Sequence, residues 1–402
     1  MGVRRTGADR GIGSPSALRD ANRRRLVDVL RQEGAASQAE LARRTGLSRG
    51  TVFNIVRELE TAGLVGLTES VAGGRRSLEV SFSRQAGLAI GLDLDHRHLR
   101  VVVADLNHRI LDEVTVDVQE NASADKTIAF AAELVESLLH HLDAGHGEVI
   151  GVGLGLPAPI DPVTGLVGSS AILPGWTGVP AAEAVQYRLG IPVAVDNDAN
   201  LGALAEVTWG AARNGQDVVY LKLGSGIGAG LVLGGQIYRG AAGTAGEIGH
   251  TTVDEQGSVC RCGNRGCLET FVGGEALISM LRATHGPDLT IPLVIEMAHN
   301  GDTGCQRVIT DAGRAIGVAV ANLCNVLAPE AVVVGGELAA AGDLLLTPLR
   351  EVVRRHAIRA AADLAQIVPA ALGDRAEAMG AIALVLRERS FDQPGVPKRR
   401  AL

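Results

Sequence analysis

Gly246–Glu269 reads GEIGHTTVDEQGSVCRCGNRGCLE and gathers His250, Cys260, Cys262 and Cys267 into one short stretch of a 402-residue chain with five cysteines. One histidine and three cysteines form the donor set of a closed tetrahedral zinc site. In the H-x9-C-x-C-x4-C spacing, Gly263 and Gly266 supply the tight turn that brings the sulfurs together. Four protein ligands leave no position for a reactive water, so the expected ion is structural. The competing reading is a set of reduced cysteines without metal. Cys305 and Cys324 lie in apolar helical sequence and read as buried thiols, which suits a reducing compartment.

Upstream of the knuckle, VVYLKLGSGIGAGLVLGGQIYRG (218–240) reads as strand, turn and strand. Before it come the strand IPVAVDNDAN (191–200) and the helix LGALAEVTWGAA (201–212). Earlier still, VIGVGLGLPAPID (149–161) is a strand running into a Gly-Pro loop, and LAIGLDLDHRHLRVVVADLNHRILDEVTVDV (88–118) is a series of apolar strands. Strands alternating with helices, twice over, predict an α/β body of two lobes. Asp198 stands where a strand ends and a helix begins, a position at which ligands meet α/β sheets. Its carboxylate suits accepting a proton from a hydroxyl or hydrogen-bonding two sugar hydroxyls, while a helix N-cap at Asp198 or Asn200 is the plainer reading. Gly224–Gly230 suits a phosphate cradle or simply a tight hairpin.

The first 83 residues have a different character. They hold fourteen arginines against nine acidic residues, a balance of +5, in a chain whose net charge is −7. A basic head on an acidic body points to a polyanionic partner. From Asp20 a helix carries Leu26, Val29 and Leu30 on one face and ends at Gly34. Ser37-Gln-Ala-Glu40 predicts a capping box opening a second helix, which Gly46 ends. After the turn Gly46-Leu47-Ser48, a third helix buries Val52, Ile55, Val56 and Leu59. Two strands joined through Gly73-Gly74-Arg75-Arg76 complete a winged helix-turn-helix. Arg49, Thr51, Asn54 and Arg57 are expected on the exposed side of the third helix to read base edges, with Arg75 and Arg76 of the wing on phosphates. A small module used only for protein contact is the alternative.

No run of eighteen apolar residues occurs, and the N-terminal MGVRRTGADRGIG lacks the apolar core of a secretory signal. A cytoplasmic protein with no membrane partner is expected.

LGSGIGAGLVLGGQIYRGAAGTAGEIGH (223–250) resembles the signature of the ROK family, which groups sugar-responsive repressors with sugar kinases. The knuckle ending GCLE, the strand-end NDAN and VVVGGELA (332–339) resemble the same family, and the likeness covers about residues 20 to 390. It implies an actin-like ATPase fold, related to ribonuclease H, for the two-lobed body. The N-terminal winged helix marks the repressor branch. Asn197, Asp198, Glu247 and His250 are implied as sugar contacts, with His250 linking the metal to the sugar and the Gly155–Asp161 loop flanking the pocket. Arg261 departs from the Glu or His that kinase members often place between the first two cysteines. The larger departure is Asp93-Leu94-Asp95-His96-Arg97, which stands where kinase members have Asp-x-Gly-Gly-Thr. Side chains at both glycine positions, one of them negative at Asp95, oppose the approach of a triphosphate. No enzyme activity is therefore expected.

The resulting expectation is a transcriptional repressor of carbohydrate genes with structural zinc. It binds a double-stranded DNA operator as a homodimer or homotetramer and responds to a small sugar. The domains are expected at 1–83 for the head, 84–200 for the first lobe and 201–402 for the second, with the C-terminal helix packing back on the first. The alternative is an ATP-dependent, glucokinase-like sugar kinase with Asp198 as general base.

Overall fold

The computed structural model describes residues 15–72, 75–119, 122–168 and 172–388. They fall into two compact units, one of residues up to 88 with 104–110, the other of 89–103 with 111–388.

The first unit begins with helix α1 (Pro15–Glu33), the short strand β1 (Ala35–Ser37), α2 (Gln38–Thr45) and α3 (Arg49–Thr61). Strands β2 (Val65–Ala72) and β3 (Arg75–Phe82) follow and pair antiparallel from Val65↔Phe82 to Ala72↔Arg75. Local chemistry explains the helix boundaries. Ser37 Oγ accepts the Glu40 amide at 3.2 Å, and Gly46, at φ 70°, ends α2 in the left-handed region that glycine tolerates. Ser48 Oγ accepts the Thr51 amide at 3.1 Å and starts α3. Only half of the expected capping box forms, because the Glu40 carboxylate pairs with Arg43 at 3.0 Å. Strand β1, not anticipated, adds to the edge of β3. Leu26, Leu30, Leu41, Val52, Ile55, Val56, Leu59 and Val80 form the core of this winged helix. Asn107 belongs to the same unit and exchanges two 2.8 Å hydrogen bonds with the Phe82 backbone.

The second unit is the expected α/β body. Its first sheet has the order β6-β5-β4-β7-β8, from β4 (Leu88–Leu94), β5 (His98–Asp105), β6 (Ile110–Asp117), β7 (Val149–Leu156) and β8 (Val193–Asn197). Helices α4 (Ala124–His141) and α5 (Ala181–Leu189) connect these strands, and α6 (Asp198–Thr208) leads out of β8. The second sheet has the order β11-β10-β9-β12-β13, from β9 (Val218–Leu223), β10 (Ile227–Leu233), β11 (Gln236–Ile237), β12 (Ala331–Gly335) and β13 (Gln366–Pro369). The β9–β10 hairpin is antiparallel, while β12 runs parallel to both β9 and β13. Around it lie α7 (Glu269–Val272), α8 (Gly274–His285), α9 (Ile291–His299), α10 (Thr303–Leu327), α11 (Asp343–His356) and α12 (Arg359–Leu364). Val219, Leu221, Ile309, Ile316, Val332, Leu345 and Leu349 make the core between this sheet and its helices.

The last described helix, α13 (Ala376–Glu388), packs on α6 through Ala381 and Leu384 against Leu201 and Leu204. The backbones approach closely. A Cβ on Gly380 would lie 1.9 Å from the Leu201 carbonyl oxygen, and one on Gly153 of β7 2.1 Å from that of Ala381. Among the described residues, no helix is long and apolar enough to cross a membrane.

Candidate functional site

The junction of β8 and α6 places three polar residues in succession, and each has a different job. Asp196, buried at the end of β8, accepts Arg239 Nε at 2.9 Å and Asn200 Nδ2 at 3.0 Å. Asn197 is the helix cap: its side-chain oxygen accepts the amides of Ala199 and Asn200 at 3.0 and 3.3 Å. Its Nδ2 faces the carbonyls of Leu156 and Ala158 at 3.5 and 3.4 Å. The capping role anticipated for Asp198 or Asn200 thus falls to Asn197. Asp198, the first residue of α6, accepts the Ala199 amide on Oδ1 at 2.7 Å and Lys222 Nζ on Oδ2 at 2.7 Å.

Lys222 projects from the otherwise apolar β9 and also reaches Asp95 Oδ2 at 3.1 Å, so one ammonium bridges two carboxylates. Burial alone would lower its pKa, but Asp198 and Asp95 hold it well above the ordinary amine value. Burial raises the Asp198 carboxyl, with Lys222 opposing the rise. Burial also acts to raise the Asp95 carboxyl, yet Lys222 and His98 hold it below its ordinary value.

The knuckle sits beside this cluster. His250, Cys260, Cys262 and Cys267 bring their ligand atoms within 4.8 Å of one another, and one nitrogen with three sulfurs suits a tetrahedral ion. Gly266, at φ 64°, has no room for a side chain, since a Cβ would fall 1.6 Å from the Asp254 carbonyl oxygen. His250 turns Nδ1 toward Cys260 Sγ, 3.5 Å away, and Nε2 toward Glu247 Oε2 at 3.9 Å. Arg261 grips both oxygens of Glu269, at 2.8 and 3.0 Å, and Glu269 Oε2 also accepts the Ile227 amide at 3.2 Å. The knuckle is thereby tied to the glycine turn between β9 and β10. A second group, His285, Asp302 and Cys305, is accounted for by capping. Asp302 takes the Cys305 amide at 2.8 Å at the start of α10 and pairs with His285 at 3.1 Å.

One cavity is lined by Asp95, His96, Asn197, Asp198, Lys222, Glu247, His250, Arg261 and Glu269. All four residues implied as sugar contacts are therefore brought together, although the polar atoms of Asn197 are directed at the protein. Burial, with Asp198 and Glu269 adding to it, pushes the Glu247 carboxyl up to about 7. From the expected Gly155–Asp161 loop only Pro157 lines the cavity; Asp161 instead accepts the amides of Val163 and Thr164 in its own turn. Sequence reading missed Lys222 and Glu269. The signal for Lys222 was available, as it is one of three lysines in the chain and interrupts an apolar strand.

On the head, Arg49, Asn54 and Arg57 are exposed along α3, with Asn54 and Arg57 lining a groove against Leu18, Arg19 and Asn22 of α1. Thr51 is half-buried, and its hydroxyl meets Ser48 Oγ at 2.8 Å. Phe53, also on α3 and 52% exposed, was not anticipated. The backbones of Arg75 and Arg76 open β3, opposite Ala72 and Val71. Their side chains and the Gly73-Gly74 turn lie outside the described residues.

A winged helix and an α/β body with this cavity and knuckle define a class of protein, and the chain belongs to the ROK family, whose profile matches residues 89–388. A winged helix-turn-helix DNA-binding profile matches residues 19–65. The chain is similar to the xylose repressor of Caldicellulosiruptor bescii, at 30% identity over 393 residues covering 94% of this chain and 98% of that protein. A solved ROK-family transcriptional regulator, a homologue of the Escherichia coli MLC protein, shares the fold at a TM-score of 0.75 and 24% identity, covering 92% of this chain and 96% of that one. A ROK glucokinase from Streptomyces griseus, solved with glucose and AMPPNP, has a TM-score of 0.67 at 30% identity and covers 74% of this chain and 99% of its own.

Replacing Arg239 with Met should leave the buried Asp196 carboxylate without its cation. The expected loss of stability is about 2–3 kcal/mol, below that of a fully buried pair because Arg239 reaches solvent. Urea denaturation measures it, and an unchanged midpoint would contradict the assigned role.

Proposed function

We propose that the protein is a transcriptional repressor that binds a DNA operator through its winged helix and responds to a sugar held in the cavity of its body. The observation that carries this reading is the Lys222 bridge in a chain with a DNA-binding head. The Lys222 ammonium stabilises the ionised Asp198 and so weakens it as a general base, while leaving it able to accept a hydrogen bond. The similarity to a xylose repressor over nearly the whole chain supports the same reading.

In this account Arg49, Thr51, Asn54 and Arg57 approach base edges while Arg75 and Arg76 hold phosphates. A homodimer or homotetramer places two heads on a pseudo-palindrome. Asp198, Glu247 and His250 hydrogen-bond the sugar, with Asn197 fixing the helix start beneath it. The two lobes of the body, divided between residues 200 and 201, close on the ligand. His250, Cys260, Cys262 and Cys267 would hold zinc as a structural cross-link. The donor set supports that role, and His250 would bind through the nitrogen facing the thiols and present the other to the cavity. An ATP-dependent sugar kinase using Asp198 as base is the second reading. Its support is the likeness to a glucokinase, and the pairing of Asp198 with Lys222 counts against it.

Purified protein should carry about one zinc per chain. Cys262→Ser should lose most of the metal and melt lower by roughly 5 °C or more. Elemental analysis and thermal melts check both; a metal-free wild-type protein of full stability would exclude the cross-link. In fluorescence anisotropy with an operator fragment, the effector sugar should weaken wild-type binding by roughly 5–150-fold. Asp198→Ala should bind the fragment normally and not respond. A variant that still released DNA at wild-type sugar concentrations would place the effector elsewhere.

A further inference from the structure

The charges around the cavity discriminate between an uncharged ligand and an anionic one, an inference that rests on the sugar-binding reading above. Apart from histidines, two cations line the cavity among the described residues, Lys222 and Arg261, and both are already paired. Lys222 is held by Asp198 and Asp95, and Arg261 by both oxygens of Glu269. His96 also lines the cavity, and burial shifts its imidazole toward the neutral form. Asp95, Asp198, Glu247 and Glu269 supply four carboxyl groups in the same walls. In the glycine turn that lines the cavity, the Gly224 amide is spent on the Gly226 carbonyl and the Ile227 amide on Glu269, so a phosphate group there would need donors that carry uncompensated positive charge. Among the described lining residues neither Lys222 nor Arg261 offers it.

A hydroxyl meets a different situation. An ammonium has three N–H donors, and the two carboxylates engage two of them. The third remains for the oxygen of a hydroxyl whose own hydrogen goes to Asp198. We propose that the Asp95, Lys222 and Asp198 triad is a specificity device, admitting an uncharged sugar and excluding the phosphate ester of the same sugar. Asp95 sets the selectivity, because it occupies the lysine that would otherwise attract a phosphate and adds a charge that repels one. Lys222 sets the affinity, because it supplies the donor that complements Asp198.

The test is isothermal titration calorimetry of the full chain. The probes are D-xylose, D-glucose, D-mannose, D-galactose and N-acetyl-D-glucosamine, together with the phosphate ester of each sugar that binds. Wild type should prefer the uncharged sugar to its ester by about tenfold or more. Asp95→Asn keeps the shape and the Lys222 pair with Asp198, and should shift that preference toward the ester by about tenfold. Lys222→Met should weaken the uncharged sugar by about tenfold or more. If this variant unfolds, the double change Lys222→Met with Asp95→Asn removes cation and partner together and should show the same weakening. A wild-type preference for the ester, an unaltered preference in Asp95→Asn, or unaltered sugar affinity without Lys222 would each overturn the proposal while leaving the sugar pocket standing. Binding of none of these sugars or esters would overturn the pocket itself, and the triad with it.

Discussion

Helix α6 has almost no solvent side. Every residue from Asp198 to Val207 is buried, and this constraint organises the body. Burial on all sides requires neighbours that come very near. Gly202 is packed against the Tyr220 ring, a Cβ on Gly230 would lie 2.1 Å from the Ala199 carbonyl oxygen, and Gly380 meets Leu201 from the other side. A helix so enclosed needs its ends satisfied within the protein. Asn197 caps the first turn. At the other end, the amides of Trp209, Gly210 and Asn214 donate to the carbonyls of Ala205, Glu206 and Val207 at 2.7, 3.1 and 2.9 Å, while the buried Glu206 carboxylate ties the helix to its surroundings by accepting the amides of Ala211, Ala371 and Leu372. Asp198 is thereby fixed in direction, since the helix that carries it cannot turn or slide without breaking close contacts.

That rigidity makes the electrostatics consequential. Asp198 is a buried carboxylate among others, and Lys222 is the cation that compensates it. Asp93 adds to the negative surroundings, with one oxygen 3.7 Å from His98. The knuckle enters the same arrangement at two places: His250 lies beside Glu247, Nε2 to Oε2 3.9 Å, and Arg261 through Glu269 reaches the backbone of the glycine turn. A metal in the knuckle would therefore stiffen the walls of the cavity as well as its own loop.

Much of this was legible in the sequence wherever partners lie close along the chain. The helix-turn-helix follows from Ser37, Gly46 and Ser48, each of which acts within three or four residues of itself. The His250 and cysteine cluster spans one short stretch for the same reason. Three-residue β1 was not legible, because a strand that short has no periodicity and exists only through its pairing with β3. That Asn197, which lines the cavity, also caps α6 was not legible, since the cap depends on where β8 ends. Asp95 was legible as an obstruction to phosphates, but not as the partner of Lys222, which lies far along the chain and on another sheet. Arg261 stood out as a departure from related chains, and its partner Glu269 became evident only once the knuckle was folded.

A cavity built in this way would sense a sugar without transforming it. The most direct measurement follows sugar phosphorylation in the full chain with ATP and magnesium, at sugar concentrations shown by thermal shift to occupy the site. The expected outcome is a raised melting temperature and no sugar phosphate above background. Steady formation of a sugar phosphate, lost in Asp198→Asn, would contradict it.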